Sequence, residues 1–157
     1  MIIESLLLQT KLFLQDDMGI EIVETKVADD GTDRVSLGDY TSMIGVGGKI
    51  NLMVVISYQN ELLNVLVESF MDGEEVDPEE EQEIKDSVAG EVVNTIMGLA
   101  LPTFPNRGKG VTITPPITIN DASNIAKHKS SKIITATITT EHGAMSVSVI
   151  GPEDILK

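Results

Sequence analysis

The chain has 157 residues and a net charge of −14, with 25 acidic residues, 11 basic residues and no cysteine. This charge argues against nucleic acid and anionic membrane surfaces as partners, because both attract cationic side chains. The lack of cysteine excludes disulfides, thiol catalysis and thiolate metal sites. The apolar share of 41% predicts a single globular domain, residues 1–157, whose core is built from aliphatic side chains, since only 3% of residues are aromatic.

The first seventeen residues, MIIESLLLQTKLFLQDD, are apolar in character but are not expected to act as a targeting signal. Glu4, Gln9 and Lys11 interrupt the apolar run, no positive region precedes it, and no small-residue cleavage site follows. No apolar run in the chain reaches the roughly 18 residues that a membrane span needs. We therefore expect a cytoplasmic protein with no membrane partner.

The predicted elements alternate between helical and strand periodicity. In chain order they are a helix over 3–15, a strand over 20–27, a turn over 29–34, a strand over 35–46 bent at Gly38, a strand over 50–58, a helix over 60–71, a helix over 78–101, an edge strand over 110–119 kinked by its prolines, a polar loop over 121–131, and two strands over 132–140 and 144–150 around an EHG turn. The third helix has a strong start signal, with Asp77 as N-cap, Pro78 in the first position and Glu80 in the capping-box place.

A helix followed by three strands thus occurs twice along the chain. This order predicts an α+β fold with a mostly antiparallel six-stranded sheet and about three helices on one face. The two halves share no evident sequence identity, so the predicted pseudo-two-fold repeat is one of topology.

The third helix carries a polar stripe beside its predicted core face. The core face contains residues within about 120° of one another on the helical wheel, namely Ile84, Val88, Val92, Thr95, Ile96 and Leu99. Ser87, Glu91, Asn94 and Gly98 fall within about 60° of one another and form what we call the polar stripe.

Two glycines, Gly90 and Gly98, flank this stripe, although each costs a helix interior about 1 kcal/mol relative to Ala. They are expected to leave the helix surface open for the close approach of another molecule. The spacing alone does not identify a site, because Glu61 and Asn64 on the second helix have the same spacing without glycines and read as solvated surface.

Three other motifs are better explained as ordinary structure. GVGGK at 45–49 lacks the glycine spacing and the Ser or Thr of a phosphate loop and reads as a hairpin turn. His128 and His142 fall in predicted loops without a spaced carboxylate, so they form no metal signature. The acidic run 73–83 lacks the pattern of a calcium loop, and its charges suit a helix N-terminus.

The order of elements together with Ser87-x-x-x-Glu91-x-x-Asn94 resembles the CheC/CheX family of chemotaxis phosphatases. That family carries Asp or Ser, three residues, Glu, two residues and Asn, and then a Pro after roughly twenty-two intervening residues. Pro115 and Pro116 lie one or two positions before that place. The segments MIGVGGKINLMVVISY and DGEEVDPEEEQEIKDSVAGEVVNTIMG extend the resemblance over most of the chain.

The resemblance implies a phosphatase that acts on the phospho-aspartate of a CheY-like receiver domain. Asn94 would orient the attacking water, Glu91 would pair with a lysine of the receiver, and Ser87, Gly90 and Gly98 would contact the partner. The receiver would supply Mg²⁺, so this chain would need no cofactor or metal of its own.

The first helix offers Ser5, Gln9 and Leu12 at the comparable spacing, where Gln replaces Glu and Leu replaces Asn. A single active site per chain is therefore expected, as in CheX-like members, which form homodimers. The edge strand at 111–119 is one surface that could serve such pairing.

Two other functions stay open at this point. A non-catalytic module of the same fold would bind a receiver or a switch-complex protein without speeding phosphate loss, and would have no need of a water-positioning amide at Asn94. A small-ligand enzyme would need a deep pocket, of which the sequence gives no sign.

Overall fold

The computed structural model describes residues 2–29, 34–120, 124–126 and 131–156. The first half of the chain comprises α1 (Ile2–Leu12), β1 (Ile22–Ala28), β2 (Arg34–Ser36), β3 (Tyr40–Gly48), β4 (Leu52–Tyr58) and α2 (Asn60–Phe70). The second half comprises α3 (Glu81–Ala100), β5 (Val111–Ile113), β6 (Ile117–Asn120), β7 (Asn124–Ala126), β8 (Ser131–Thr140), β9 (Gly143–Pro152) and α4 (Glu153–Leu156). Among the described helices, none combines the length and apolar character that a membrane crossing requires.

The main sheet is antiparallel throughout and confirms the α+β prediction. Its strands follow the order β1-β8-β9-β4-β3-β5, and β6 also pairs with β3. β5 and β6 both pair with β3, one after the other along its length. They are separated by Thr114, Pro115 and Pro116, because proline has no N–H to donate to the ladder. Seven strands therefore occupy six positions, and the kinked edge strand is where the sequence predicts it.

The strand order has the predicted two-fold character. β4 and β9 lie side by side at the centre. At each edge, a strand of one half pairs with a strand of the other half: β1 of the first half pairs with β8, and β5 and β6 of the second half pair with β3. Each half also ends in a helix, α2 or α4, which directly follows its central strand. The repeat is thus a long helix, three sheet positions and a closing helix, one element more than predicted.

One face of the sheet carries the helices and the core. α3 packs against α1 and α2, α1 lies over β8 and β9, and α3 lies over β3 and β6. Alternate strand residues point into this layer and are buried there, including Val54, Ile56, Ile134, Ile138, Val147 and Val149. The aliphatic core predicted from composition is therefore present.

The opposite face is rich in hydroxyl side chains. Thr135 and Ser148 of the paired strands β8 and β9 hydrogen-bond to each other at 2.8 Å. β2 packs against β8 on this side, where Val35 is buried. β2 pairs with β7 in a separate two-stranded sheet.

Two features of this region differ from the predictions. The predicted strand 35–46 is broken at 37–39. Gly38 lies at this break, where its N–H donates to the side-chain oxygen Ser57 Oγ and where a Cβ would lie only 2.7 Å from the backbone oxygen of Tyr58. Within the predicted loop 121–131, residues 124–126 form β7. The rest of that loop up to residue 130, and 30–33 of the predicted turn, lie outside the described residues.

α3 also begins later than predicted. Its first residue is Glu81, and Glu80 makes no side-chain cap hydrogen bond. Asp77 instead accepts the backbone N–H of Glu79 at 3.1 Å, and its carbonyl accepts the N–H of Glu80 at 2.9 Å. The start signal therefore builds a separate turn before the helix.

Candidate active site on helix α3

The buried face of α3 is broader than predicted and is rotated on the helical wheel by roughly 90°. Its buried residues are Val88, Ala89, Gly90, Val92, Val93, Ile96, Met97 and Ala100. Ile84 and Thr95 are only half-buried, and Leu99 is 50% exposed. The prediction that Leu99 belongs to the core is wrong, because small residues such as Ala89 and Ala100 bring the other side of the helix against its neighbours.

The polar stripe lies on the opposite side of the helix from this buried face. Ser87, Glu91, Asn94 and Gly98 are all exposed. Their common direction follows from spacings of four, three and four residues, which return to one side of an α-helix. The structure therefore brings four of the five predicted site residues together on one accessible surface.

Among the described residues, no side chain holds Glu91 or Asn94. Within the described ranges of the chain, no hydrogen bond or ion pair is formed by either group. A carboxylate and a carboxamide side by side offer hydrogen-bond acceptors together with the two N–H donors of the amide. Both groups are therefore available to a partner that approaches along the helix.

The two glycines have different surroundings. A Cβ on Gly98 would meet nothing within 4 Å, so the surface beside Asn94 is open there, as predicted. Gly90 is buried, and a Cβ on it would lie 3.3 Å from Cγ of Pro116. The expectation that Gly90 leaves the surface open is wrong: it lets a neighbouring loop approach the helix.

That loop is the proline break between β5 and β6. Thr114 fastens it to β3, since its Oγ1 accepts the Gly45 N–H at 2.8 Å and its own N–H donates to the Gly45 carbonyl at 2.9 Å. Pro116 is thereby held against α3 at Gly90. Gly90 lies between Ser87 and Asn94 in the sequence. Of the two prolines named from the family pattern, Pro116 is the one that contacts Gly90.

A hydrogen-bonded cluster, which the sequence does not predict, lies one turn before Gly90. Tyr40, at the start of β3, donates its hydroxyl hydrogen to Asp86 Oδ1. Gln82 Nε2 lies 2.8 Å from the Tyr40 hydroxyl and 3.2 Å from Asp86 Oδ1. The sequence signal for this cluster is weak: Asp86 is an acidic residue between the predicted core face and the polar stripe of the helix. That position does not indicate that its partner lies on a strand.

The remaining candidates have ordinary surroundings. Residues 45–48 end β3 and Lys49 begins the turn to the paired strand β4, so the motif lies in a β-hairpin, as predicted. His142 lies in the β8–β9 hairpin with Nε2 3.4 Å from Glu141 Oε1, and His128 lies outside the described residues. In the part of the chain that the structure describes, no three His, Asp or Glu side chains are grouped so that they could hold a metal ion.

The comparison pair on α2 is also at the surface, since Glu61 and Asn64 are both exposed. Exposure therefore does not distinguish it from Glu91 and Asn94. On α1, Ser5 and Gln9 are half-buried and Leu12 is 39% exposed, so no Glu–Asn pair is presented there.

The fold is shared with solved chemotaxis proteins. The chain superposes on CheX from Desulfovibrio desulfuricans with a TM-score of 0.77 and 20% identity, covering 94% of this chain and 97% of that one. It superposes on the CheX of a CheX-CheY-BeF3-Mg+2 complex from Borrelia burgdorferi with a TM-score of 0.73 and 22% identity, covering 96% and 97%. A CheC-like superfamily protein from Shewanella sp. PV-4 gives 0.72 and 17%, covering 95% and 96%.

These likenesses define the class: an α+β domain with the fold of CheX- and CheC-like proteins. The model of the family "Chemotaxis phosphatase CheX" matches residues 40–139, which span β3 to β8 and include all of α3. The chain belongs to the CheX family of chemotaxis phosphatases. A search of curated proteins found no match.

Proposed function

We propose that this protein is a phosphatase for the phospho-aspartate of a CheY-like receiver domain. The observation that carries the proposal is the exposed pair Glu91 and Asn94, which has no partner in the described residues and lies opposite the buried face of α3. Membership of a chemotaxis phosphatase family supports it. The CheX–CheY complex of the Borrelia protein, whose fold this chain shares, supports a CheY-like partner.

Asn94 is assigned the task of orienting the attacking water. The water oxygen forms a bond to phosphorus while the bond from phosphorus to the aspartyl oxygen breaks, and the water proton passes to the departing phosphate. An acyl phosphate is already labile, so placing a water in line is a sufficient contribution and no general base is needed. A carboxamide can accept from that water and donate to a phosphoryl oxygen at once.

Glu91 is assigned the contact with a lysine of the receiver. The two residues are three apart on one helix face, so a cation paired with Glu91 would be held within one helical turn of Asn94. A carboxylate facing a compact ammonium group gives both attraction and registration between the two surfaces. Mg²⁺ is proposed to arrive with the receiver, where it would neutralise phosphoryl charge.

The surface around the pair suits a protein partner better than a small molecule. Ser87 and Gly98 continue the exposed stripe on either side, and the surface at Gly98 is open. Gly90 would contribute indirectly, by holding Pro116 beside the stripe.

The proposal is tested with Asn94→Ala against a panel of purified CheY-like receivers phosphorylated by acetyl phosphate in the presence of Mg²⁺. Wild-type protein should speed phosphate loss from at least one receiver, and Asn94→Ala should lower that rate by about 100-fold. Asn64→Ala, which removes an exposed amide from α2, is the matched control and should retain wild-type activity.

Three results would count against the proposal. Unchanged decay with every receiver would remove the activity, and full activity of Asn94→Ala would remove the assigned role. A receiver that binds tightly without losing phosphate faster would identify a non-catalytic binding module of the same fold.

A further inference from the structure

The Tyr40–Asp86 contact joins α3 to the sheet directly beside the polar stripe. Tyr40 is 3% exposed and lies beneath α3, and its hydroxyl reaches the half-buried carboxylate of Asp86. Asp86 immediately precedes Ser87. Because the acceptor is a carboxylate, the hydrogen bond is charge-assisted and stronger than one between neutral groups.

This contact lies on a row of the helix surface that leads to Asn94. Asp86, Gly90 and Asn94 are spaced four residues apart, and such residues form one continuous ridge along an α-helix. Tyr40 holds the first position of the ridge, and Pro116 packs against the second, where its Cγ would lie 3.3 Å from a Cβ on Gly90. The third position is the exposed amide.

The two contacts come from neighbouring parts of the sheet edge. Tyr40 is the first residue of β3, and Pro116 directly precedes β6, which pairs with β3. A ridge held at two points one turn apart has little freedom to rotate about the helix axis. The direction in which Asn94 points is then set by β3 and β6.

We propose that Tyr40 and Asp86 are positioning residues that orient α3 so that Asn94 can place its water. The inference rests on the proposed phosphatase function. In-line attack tolerates little displacement, and a misplacement of about 1 Å can lower a rate about 100-fold. Neither residue is assigned contact with the substrate.

Tyr58 supplies a matched control inside the same layer. Tyr40 and Tyr58 are paired directly across β3 and β4, and both are buried. The Tyr58 hydroxyl has no hydrogen-bond partner among the described residues, and burial raises the pKa of this phenol well above its usual range. Removing either hydroxyl leaves the aromatic packing in place, but only removal of the Tyr40 hydroxyl breaks the hydrogen bond that joins β3 to Asp86.

The test compares Tyr40→Phe with Tyr58→Phe in steady-state dephosphorylation of the receiver found by the panel. Tyr40→Phe should lower kcat about tenfold with KM unchanged, because docking groups stay and only the water is misplaced. Tyr58→Phe should leave both constants unchanged. Thermal unfolding of both variants shows that each protein is folded at the assay temperature.

Asp86 gives an independent arm. Asp86→Asn keeps an oxygen that accepts the Tyr40 hydroxyl hydrogen and should retain most of kcat, whereas Asp86→Ala should lose as much as Tyr40→Phe. The double variant Tyr40→Phe with Asp86→Ala should have a kcat no lower than either single variant, because both changes remove the same Tyr40–Asp86 hydrogen bond.

The outcomes separate this inference from the proposed function. If wild-type protein does not speed phosphate loss, both fall. If wild-type protein is active and Asn94→Ala is inactive, but Tyr40→Phe and Asp86→Ala keep the wild-type kcat, the positioning role alone is overturned. A rise in KM without a fall in kcat would also overturn it, since that pattern belongs to docking.

Discussion

At the scale of single residues, Glu91 and Glu61 form a natural comparison. Both are exposed carboxylates three residues before an exposed asparagine on a helix, and the surrounding positions decide between them. Glu91 lies between an open glycine position and a proline-held one on α3. Helix α2 has no glycine beside Glu61 and Asn64. The same pair of side chains is thus proposed as a site on one helix and as solvated surface on the other.

We expect Glu91→Ala to weaken docking more than it slows the chemical step. KM for the phosphorylated receiver should rise about tenfold, which corresponds to about 1.4 kcal/mol. The dependence of KM on ionic strength should also become weaker, because a charged contact is lost. Kinetics at two salt concentrations measure both effects.

Glu61→Ala removes the equivalent charge from α2 and is the control for Glu91→Ala. It should leave KM unchanged at each salt concentration. Equal effects of the two substitutions would show that net charge, and not the contact at Glu91, governs docking.

At the scale of the element, α3 shows how one helix serves both packing and exposure. Eight residues are buried on one side, while the polar stripe faces outward on the other. Its two glycines serve opposite purposes, since Gly90 admits Pro116 and Gly98 leaves space at the surface. Among the described residues, no atom packs against the Cβ position of Gly98, whereas Pro116 packs against that of Gly90.

We therefore expect Gly98→Ala to stabilise the fold while harming the function. Alanine should raise the free energy of unfolding by about 1 kcal/mol, because the new Cβ meets nothing and the helix loses a flexible residue. The added methyl group would stand on the docking surface, so KM should rise several-fold. Denaturant unfolding and receiver dephosphorylation measure the two effects.

Gly90→Ala is the comparison for Gly98→Ala. Its Cβ would press on Pro116 at 3.3 Å, so the stability gained from helix propensity should be smaller or absent. If Gly98→Ala stabilises the protein but leaves KM as in the wild type, the docking surface does not extend to Gly98.

At the scale of the whole molecule, the two-fold order of the sheet leaves two edge strands. One edge is β1, where Val23 is 69% exposed, and the other is formed by β5 and β6, where Ile117 is 60% exposed. Exposed backbone and apolar side chains at a sheet edge are suited to pairing with another strand. A homodimer stays a prediction, and either edge could provide it.

Two substitutions identify the edge that forms such a dimer. Ile117→Lys places a charge on the β6 edge named from the sequence, and it should convert a dimer to a monomer in sedimentation experiments. Val23→Lys does the same on β1 and should leave the dimer intact. The reverse result would move the interface to β1, and a monomeric wild-type protein would contradict the prediction altogether.

The grouping of the site residues can be predicted from local sequence, but the side of α3 that faces away from the core cannot. The spacing of Ser87, Glu91, Asn94 and Gly98 places them together on any α-helix. The apolar residues of α3, however, include Leu99, which is exposed, and the small residue Ala89, which is buried. A helical wheel does not show which side meets α1, α2 and the sheet, so it did not predict that the stripe lies opposite the core.

By itself, the sequence determined the α+β class, the twofold order of helix and strands, the proline break at the sheet edge and the grouping of the polar stripe. Periodicity, proline chemistry and spacing along one helix are properties of neighbouring residues, so they can be read without a partner. The tertiary structure alone decided the orientation of α3, the contact of Pro116 with Gly90 and the hydrogen bond from Tyr40 to Asp86. Those features join residues far apart in the chain, and packing against the sheet creates them.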